Sequence, residues 1–413
     1  MKKSIITSAL HWGIRILVVI NLGISISYIG LWAIAAQNNV LWRADFTIYY
    51  TAWDIIRDGQ GAQLYNLDTQ TTHQLNLLQG NHFMGNLLPY DHPPYMALAL
   101  YPLSWFSLQT AYWIFAFIQI LVLGRLLYLL ISIAHSQEWS RTERLVFTIT
   151  FCALPPLFTS LLLGNITMFV LWGWIELYRA IKLQRDRSAA LSLIIAAAKP
   201  QHAVFYGLTL LVARRWKTLF MALGLMSILV LFSTLVLGAA LWPDYIRLLF
   251  HLSSAVDQYG IYIKDMVNLK GLLLSILGKT YSTSVNLVNL LALVASALGV
   301  AWLWRGRWEV QNPAFELKLA LSLTLGLMFS PHALVQDALL LAFPVFLFYL
   351  YLRQHLSTQA QLLVWFVLGS PLLLLISEFL LPLHVPFLFM LGLAVWIIRV
   401  LRSAQSKSLI AKP

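Results

Sequence analysis

Residues 189–212 read AALSLIIAAAKPQHAVFYGLTLLV. The stretch is long and apolar enough to cross a hydrocarbon core about 30 Å thick, yet Lys199-Pro200 stands in its middle. Proline removes a helix hydrogen bond and disfavours helical backbone at the residue before it. A lysine at that depth costs roughly 2.5–3.5 kcal/mol on insertion scales, so it is kept where it pairs or serves a site. Snorkelling does not relieve it, because Lys199 is about ten residues from either end of the run. Cationic clusters flank the run on both sides, Arg179/Lys182/Arg185/Arg187 before it and Arg214/Arg215/Lys217 after it. If both clusters lie on one side of the membrane, the run is two half-helices folded into a hairpin, with Lys199 near its tip. Such breaks are tolerated at membrane depth only where they line a cavity or are packed in protein. A helical membrane protein with an internal site is expected.

Other apolar runs lie at about 12–36, 94–134 (interrupted at Pro102), 145–162, 165–181, 218–241, 284–304, 316–331, 337–352, 361–380 and 384–401. Of the 413 residues, 60% are hydrophobic and 11% charged, against roughly 25% charged in soluble domains. The chain reads as a single all-α, polytopic membrane domain, 1–413, with about 11 or 12 spans. The piece before Pro102 is too short to span comfortably, so it dips in and returns or crosses a thinned region. The net charge of +12 does not indicate nucleic acid, because Lys and Arg fall in short clusters between runs, as the positive-inside rule requires. Lys2, Lys3 and Arg15 before the first loop, and Arg305/Arg307, Arg353 and Arg399/Arg402/Lys407 later, place both termini in the cytoplasm of a multi-pass plasma-membrane protein. The apolar stretch after Lys2-Lys3 exceeds a signal-peptide core of about 7–15 residues and is read as a retained first span. Cys152 is the one cysteine, so no intrachain disulfide forms, and its apolar run marks a core thiol.

Two polar stretches are left for the outer side. The longer, 37–92, is mostly acidic, with Asp45, Asp54, Asp58, Asp68 and Asp91 against Arg43 and Arg57. The second, 242–283, mixes Asp244, Asp257, Lys264, Asp265 and Lys270 with apolar residues and is expected along the membrane interface. On a helix turning about 100° per residue, Asp45 shares a face with Tyr49, Ala52 and Ile56, while Asp54, Arg57 and Asp58 fall on the far, solvated side. Gly59-Gln60-Gly61 ends that helix. Asp45 reads in two ways: as an N-cap, or as a carboxylate at the water–lipid boundary able to take a proton from a lipid-borne substrate.

Four further elements carry chemistry. Pro89-Tyr90-Asp91-His92-Pro93-Pro94 is a stiff loop-to-helix junction that presents Tyr90, Asp91 and His92. Gly164-Asn165 is a tight turn between apolar runs, and Gln201 and His202 follow Lys199 with further hydrogen-bonding groups. In Ser330-Pro331-His332-Ala333-Leu334-Val335-Gln336-Asp337, the residues His332, Gln336 and Asp337 share a face if the segment is helical. His332 and Asp337 lack the third ligand a metal site needs. Gly278-Lys279-Thr280 lacks the glycine spacing of a phosphate loop. The topology brings the other elements to one surface, which points to one pocket.

These elements in this order resemble glycosyltransferase family 87, the polyprenyl-phosphate-mannose-dependent α-mannosyltransferases of the GT-C membrane superfamily. The resemblance rests on Asp45-Phe46 with Tyr49-Tyr50 and Leu64-Tyr65; on Tyr90 with His92-Pro93-Pro94 and Pro102-Leu103; and on Gly164-Asn165, Lys199-Pro200-Gln201 and Ser330-Pro331-His332 with Asp337. It covers about residues 42–340. The chain departs from the family where Asn165 stands in place of a frequent glutamine and where His92 intervenes between Tyr90 and Pro93. The resemblance implies transfer of a sugar, mannose first among candidates, from a polyprenyl-phosphate donor to a lipid or glycan acceptor with inversion. Asp45 would be the general base, and Lys199 and His332 would meet the donor phosphate. Tyr49, Tyr50, Tyr90, His92, Asn165, Gln201 and Asp337 would surround the substrates. No metal and no cofactor is expected, and membrane lipids are the surroundings. The alternative reading is a secondary transporter or lipid flippase, where broken helices and buried cations also occur. The missing internal repeat and the long first loop weigh against it.

Overall fold

Length and apolarity sort the helices of this chain into two groups, those that meet lipid and those held inside. The computed structural model describes residues 2–38, 40–80, 85–306, 308–312, 314–380 and 384–410. Arg307, expected in one cationic cluster, lies outside them, as do residues 81–84 of the first loop. The described residues hold helices and no strands, with single bridges only at Gln258–Ile261 and Met266–Leu334.

Among the described residues seven helices are long and apolar enough to cross a membrane: Trp12–Gln37, Leu108–Ser136, Trp216–Leu237, Lys279–Trp304, Val335–His355, Ser357–Ser377 and Val385–Ala404. The pair Arg141–Cys152 and Pro155–Leu163, bent by 52°, is long and apolar enough to make an eighth if it counts as one broken span. The chain is an integral, multi-pass membrane protein. The count is below the 11 or 12 expected from apolar runs alone, and the reason is length. The runs at 165–181, 189–212 and 316–331 are carried by Thr167–Lys182, by Asp186–Ala196 with Pro200–Val212, and by Ala314–Met328, none longer than 16 residues. At 1.5 Å per residue the longest of these reaches about 24 Å, short of the hydrocarbon core. These short helices pack mainly on other helices. Phe315, Leu317, Leu319, Leu323 and Leu327 of Ala314–Met328 are all buried.

Lipid-facing and central helices differ sharply. Only 11% of the apolar window in Trp216–Leu237 is buried, with Phe220, Leu223, Ile228, Leu231 and Leu235 exposed around it. A helix apolar all round is stable in that setting only against lipid. In Val335–His355 72% of the corresponding stretch is buried, so this helix packs mainly on protein.

The break expected at Lys199 is present. Asp186–Ala196 ends, Lys199 is extended at φ −119° and ψ 92°, and Pro200 opens the next helix, the position where proline's missing N–H is harmless. Asp186–Ala196 folds back against Thr167–Lys182. A Cβ on Gly173 would lie 2.6 Å from the Ala196 backbone nitrogen, so this close crossing needs glycine. The hairpin returns Lys199 to the end where Thr167 begins.

The two polar stretches fold into short helices. Asp45–Arg57 and Leu67–Leu77 form the first loop, and Pro94–Ala99 with the turn Tyr101–Trp105 precedes the long helix from Leu108 without crossing. The second stretch holds Leu241–Ser254 and Leu269–Leu277. Leu241–Ser254 buries Tyr245, Leu248 and Leu252 and leaves Ile246 and Phe250 exposed, as an interface-lying helix would. Its buried face closes over the site.

Candidate active site

Asp45 is the first residue of its helix; Ala44 is the N-cap and no side chain caps the end. The capping reading of Asp45 therefore falls. A carboxylate in the first turn is still favoured by the helix dipole. The helix is held down by Phe46, whose ring meets Trp53, Tyr112 and Phe115 at centroid distances of 5.5–5.8 Å. Gly164 is also fixed by Phe46. Its φ of +72° is the left-handed region, and a Cβ there would sit 2.9 Å from Phe46 Cβ. This approach sets Asn165 beside Asp45.

A cavity of about 290 Å³ opens at this point. Asp45, Tyr49, His92, Asn165, Lys199, Gln201, His332 and Asp337 all line it. Tyr50 and Tyr90 do not, which corrects the substrate-binding role expected for them. Their hydroxyls are already spent on backbone carbonyls, Tyr50 Oη donating to Phe106 O at 2.6 Å and Tyr90 Oη to Pro93 O at 3.0 Å. Both are core residues that brace the loop.

One chain of polar contacts runs along the cavity wall. Asn165 Nδ2 donates to Asp45 Oδ2 at 2.7 Å, and Gln336 Nε2 donates to the same oxygen at 3.3 Å. The Thr167 backbone N–H donates to Asn165 Oδ1 at 3.0 Å. A backbone N–H can only donate, so the Asn165 amide must turn its NH₂ toward Asp45. Lys199 Nζ donates to Thr167 Oγ1 at 2.9 Å and to Asp337 Oδ1 at 2.5 Å. Asp337 also accepts from the Leu334 N–H through Oδ2 at 3.1 Å. Lys199 and Asp337 thus form a buried, mutually neutralising pair. The pair answers the cost of the lysine read from the sequence, since removing either partner strands a charge.

The three cavity carboxylates differ in company. Asp337 is paired with Lys199, and Asp91 Oδ1 lies 2.8 Å from His92 Nδ1, a contact without hydrogen-bond alignment. Asp45 has no cation within ion-pair distance among the described residues and is held by two neutral amides. Enclosure raises the Asp45 pKa above the ordinary carboxylate value, outweighing the Asn165 hydrogen bond and the charge of Lys199, which lower it. Burial also pushes Asp91 up, but the neighbouring His92, His332 and Lys199 outweigh it and hold that carboxyl at about 2. Tyr49 is pushed well above the usual phenol range by burial and by Asp45, so it keeps its proton. Its hydroxyl is 3.2 Å from His92 Nε2, and the imidazole tautomer decides which of the two donates. Burial lowers His332, although Asp91 and Asp337 pull the other way, so the ring favours its neutral form.

Sequence reasoning missed part of the lining. Tyr245, Asn268 and Lys270 enter from the second polar stretch, and Gln336, read from the sequence only as sharing a face with His332 and Asp337, reaches Asp45. Asp91 had been noted only as part of a stiff junction. The far side of the Asp45 helix also differs from expectation. Asp54 is buried, with His73 Nδ1 at 2.7 Å from Oδ2 and the Arg57 guanidinium against Oδ1. It is a bracing group between the two loop helices, not a solvated one. Asp58 Oδ2 lies 3.9 Å from the same histidine nitrogen. None of Asp54, Asp58 and His73 lines the cavity. A second cavity of about 110 Å³, among Phe147, Phe151, Phe366 and Phe389, has no ionisable group in its lining.

The model of glycosyltransferase family 87 matches residues 90–331, more than half of the chain. The chain belongs to glycosyltransferase family 87. This family 87 protein is a membrane glycosyltransferase, with a sugar donor and an acceptor as its substrates. No curated protein and no solved structure matches it. The matched region takes in His92, Asn165, Lys199, Gln201 and Lys270, whereas Asp45 and Tyr49 precede it and His332 and Asp337 follow it. Geometry alone joins those four to the rest.

Proposed function

We propose that this family 87 enzyme transfers a sugar, mannose first among candidates, from a polyprenyl phosphate to a lipid or glycan acceptor, with inversion, at a site on the outer face of the plasma membrane. The observation that carries the reading is the contrast among the cavity acids: Asp45 alone is held by amides and left without a cation. A carboxylate of raised pKa, free of a counter-ion, is suited to accept a proton.

In this reaction the acceptor hydroxyl oxygen attacks the anomeric carbon and the bond from that carbon to the phosphate oxygen breaks. The hydroxyl proton goes to Asp45. The electron pair of the broken bond stays on the phosphate oxygen, so a phosphodiester with one negative charge leaves as a monoester approaching two. Fixed positive charge or hydrogen-bond donors must meet that growing charge. Lys199 keeps one N–H beyond those given to Thr167 and Asp337, and His332 and Gln201 border the same space. Tyr49 and His92, paired with each other at the cavity surface, offer hydrogen-bonding groups to sugar hydroxyls. Asp337 serves by holding Lys199 in place.

The test is direct. Purified protein in lipid nanodiscs is incubated with membrane lipid and either radiolabelled polyprenyl-phosphate sugars or nucleotide sugars of the same hexoses. Label should pass to an acceptor from a polyprenyl-phosphate sugar only. Transfer from a nucleotide sugar, with none from the lipid-linked donors, would reject this reading of the donor.

A further inference from the structure

We infer that Lys270, which borders the same cavity from the chain's second outer stretch, is the uncompensated cation that takes the anionic phosphate of the lipid donor. The inference rests on the cavity being a lipid-phosphate glycosyl-transfer site and adds the residue that supplies its charge.

Lys270 is 4% exposed and borders the cavity. Its Nζ donates to the Ser253 carbonyl at 2.6 Å, and no carboxylate lies within ion-pair distance of it among the described residues. Lysines are almost never fully buried unless paired. Its position adds to the cost. Lys270 is the second residue of the helix Leu269–Leu277, whose N-cap is Asn268, and a cation at a helix N-terminus opposes the helix dipole. Burial alone lowers its amine to about 8, with no nearby acid drawing it back.

The other candidate cations are already engaged. Lys199 is neutralised by Asp337, His92 faces Asp91, and His332 is driven toward its neutral form. A phosphate entering between these groups would find one unmatched positive charge, and it belongs to Lys270. The same anion would relieve the amine's burial and its clash with the helix dipole. Two N–H donors of the ammonium remain for it after the bond to Ser253.

The experiment compares binding of a radiolabelled polyprenyl phosphate with that of the polyprenol of equal length, on the full-length protein in nanodiscs. Wild type should favour the phosphate by about tenfold or more, and Lys270→Met should remove most of that preference. Lys270→Arg should retain it within about threefold. The melting temperature of Lys270→Met without ligand should equal or exceed that of wild type, because an unmatched buried charge is gone. Equal affinity of wild type for phosphate and alcohol, or wild-type phosphate binding by Lys270→Met, would overturn the inference. So would a lowered melting temperature with unchanged binding. Lys270-dependent phosphate binding without any sugar transfer would instead refute the proposed reaction and leave this inference standing.

Discussion

Two parts of the cavity wall are built on different rules. On one, Asp45, Asn165, Thr167, Lys199 and Asp337 are joined hydrogen bond to hydrogen bond. On the other, Lys270 has a carbonyl for company, Asn268 is used up in capping its helix and bridging to Ser330, and His332 is pushed toward neutrality. The first network is satisfied within the protein; the second carries a buried cation with no carboxylate beside it among the described residues. On the proposed reading the proton acceptor is pre-set in the first network, where Lys199 keeps one N–H for the phosphate, and Lys270 adds the unmatched charge. Pre-set groups need no rearrangement as charge develops.

The comparison can be broken or sharpened at several points. Asp45→Asn keeps the shape and both amide neighbours but removes the base, so transfer should fall by about a thousandfold or more with donor binding nearly unchanged. Near-normal turnover would end the base assignment. Asp337→Ala strands Lys199, and thermal or chemical unfolding should show a loss of about 3–5 kcal/mol. Adding Lys199→Met in the same chain should recover a large part of it, and an unchanged single variant would show that the pair is not load-sharing.

Asn165→Ala removes the shorter of the two bonds to Asp45 and should lower turnover by about tenfold through misorientation. It should also shift the pH profile. The Asp45 carboxyl is raised by its enclosure, with Asn165, Lys199 and His92 lowering it and Asp337 raising it. Turnover should therefore rise with pH through a midpoint above the ordinary value of about 3.9, and losing Asn165 should move that midpoint higher. A downward shift would contradict the assigned hydrogen bond. Least affected should be Asp54→Asn, on the back of the same helix, with transfer changed less than about twofold and stability lowered by about 1–3 kcal/mol as the bonds to His73 and Arg57 weaken.

What the sequence disclosed, and what it hid, follows from the range of the forces involved. The break at Lys199-Pro200 was legible because proline acts on its own turn and the residue before it. The inward face of Asp45 and Tyr49 was legible from helical spacing. Asp54 was misread as solvated because its burial depends on His73, which a separate helix brings across. Tyr50 and Tyr90 were misassigned for a similar reason: the carbonyls of Phe106 and Pro93 that satisfy them are set by chain folding, not by spacing. Lys270 looked like one charge among several in an interfacial stretch, and its burial appears only once Leu269–Leu277 is packed. The number of long crossings was overestimated since an apolar run records burial, whether in lipid or in protein. Helices such as Ala314–Met328 are buried in protein.

The anomeric configuration of the product tests the central claim most directly. With a polyprenyl-phosphate sugar of known anomer as donor, the product linkage is read from its one-bond carbon–proton coupling by NMR. A base at Asp45 that activates the acceptor for a single displacement predicts inversion at that carbon. Retention would mean either two displacements or attack from the face the phosphate leaves, and would contradict Asp45 as the base of a single in-line displacement.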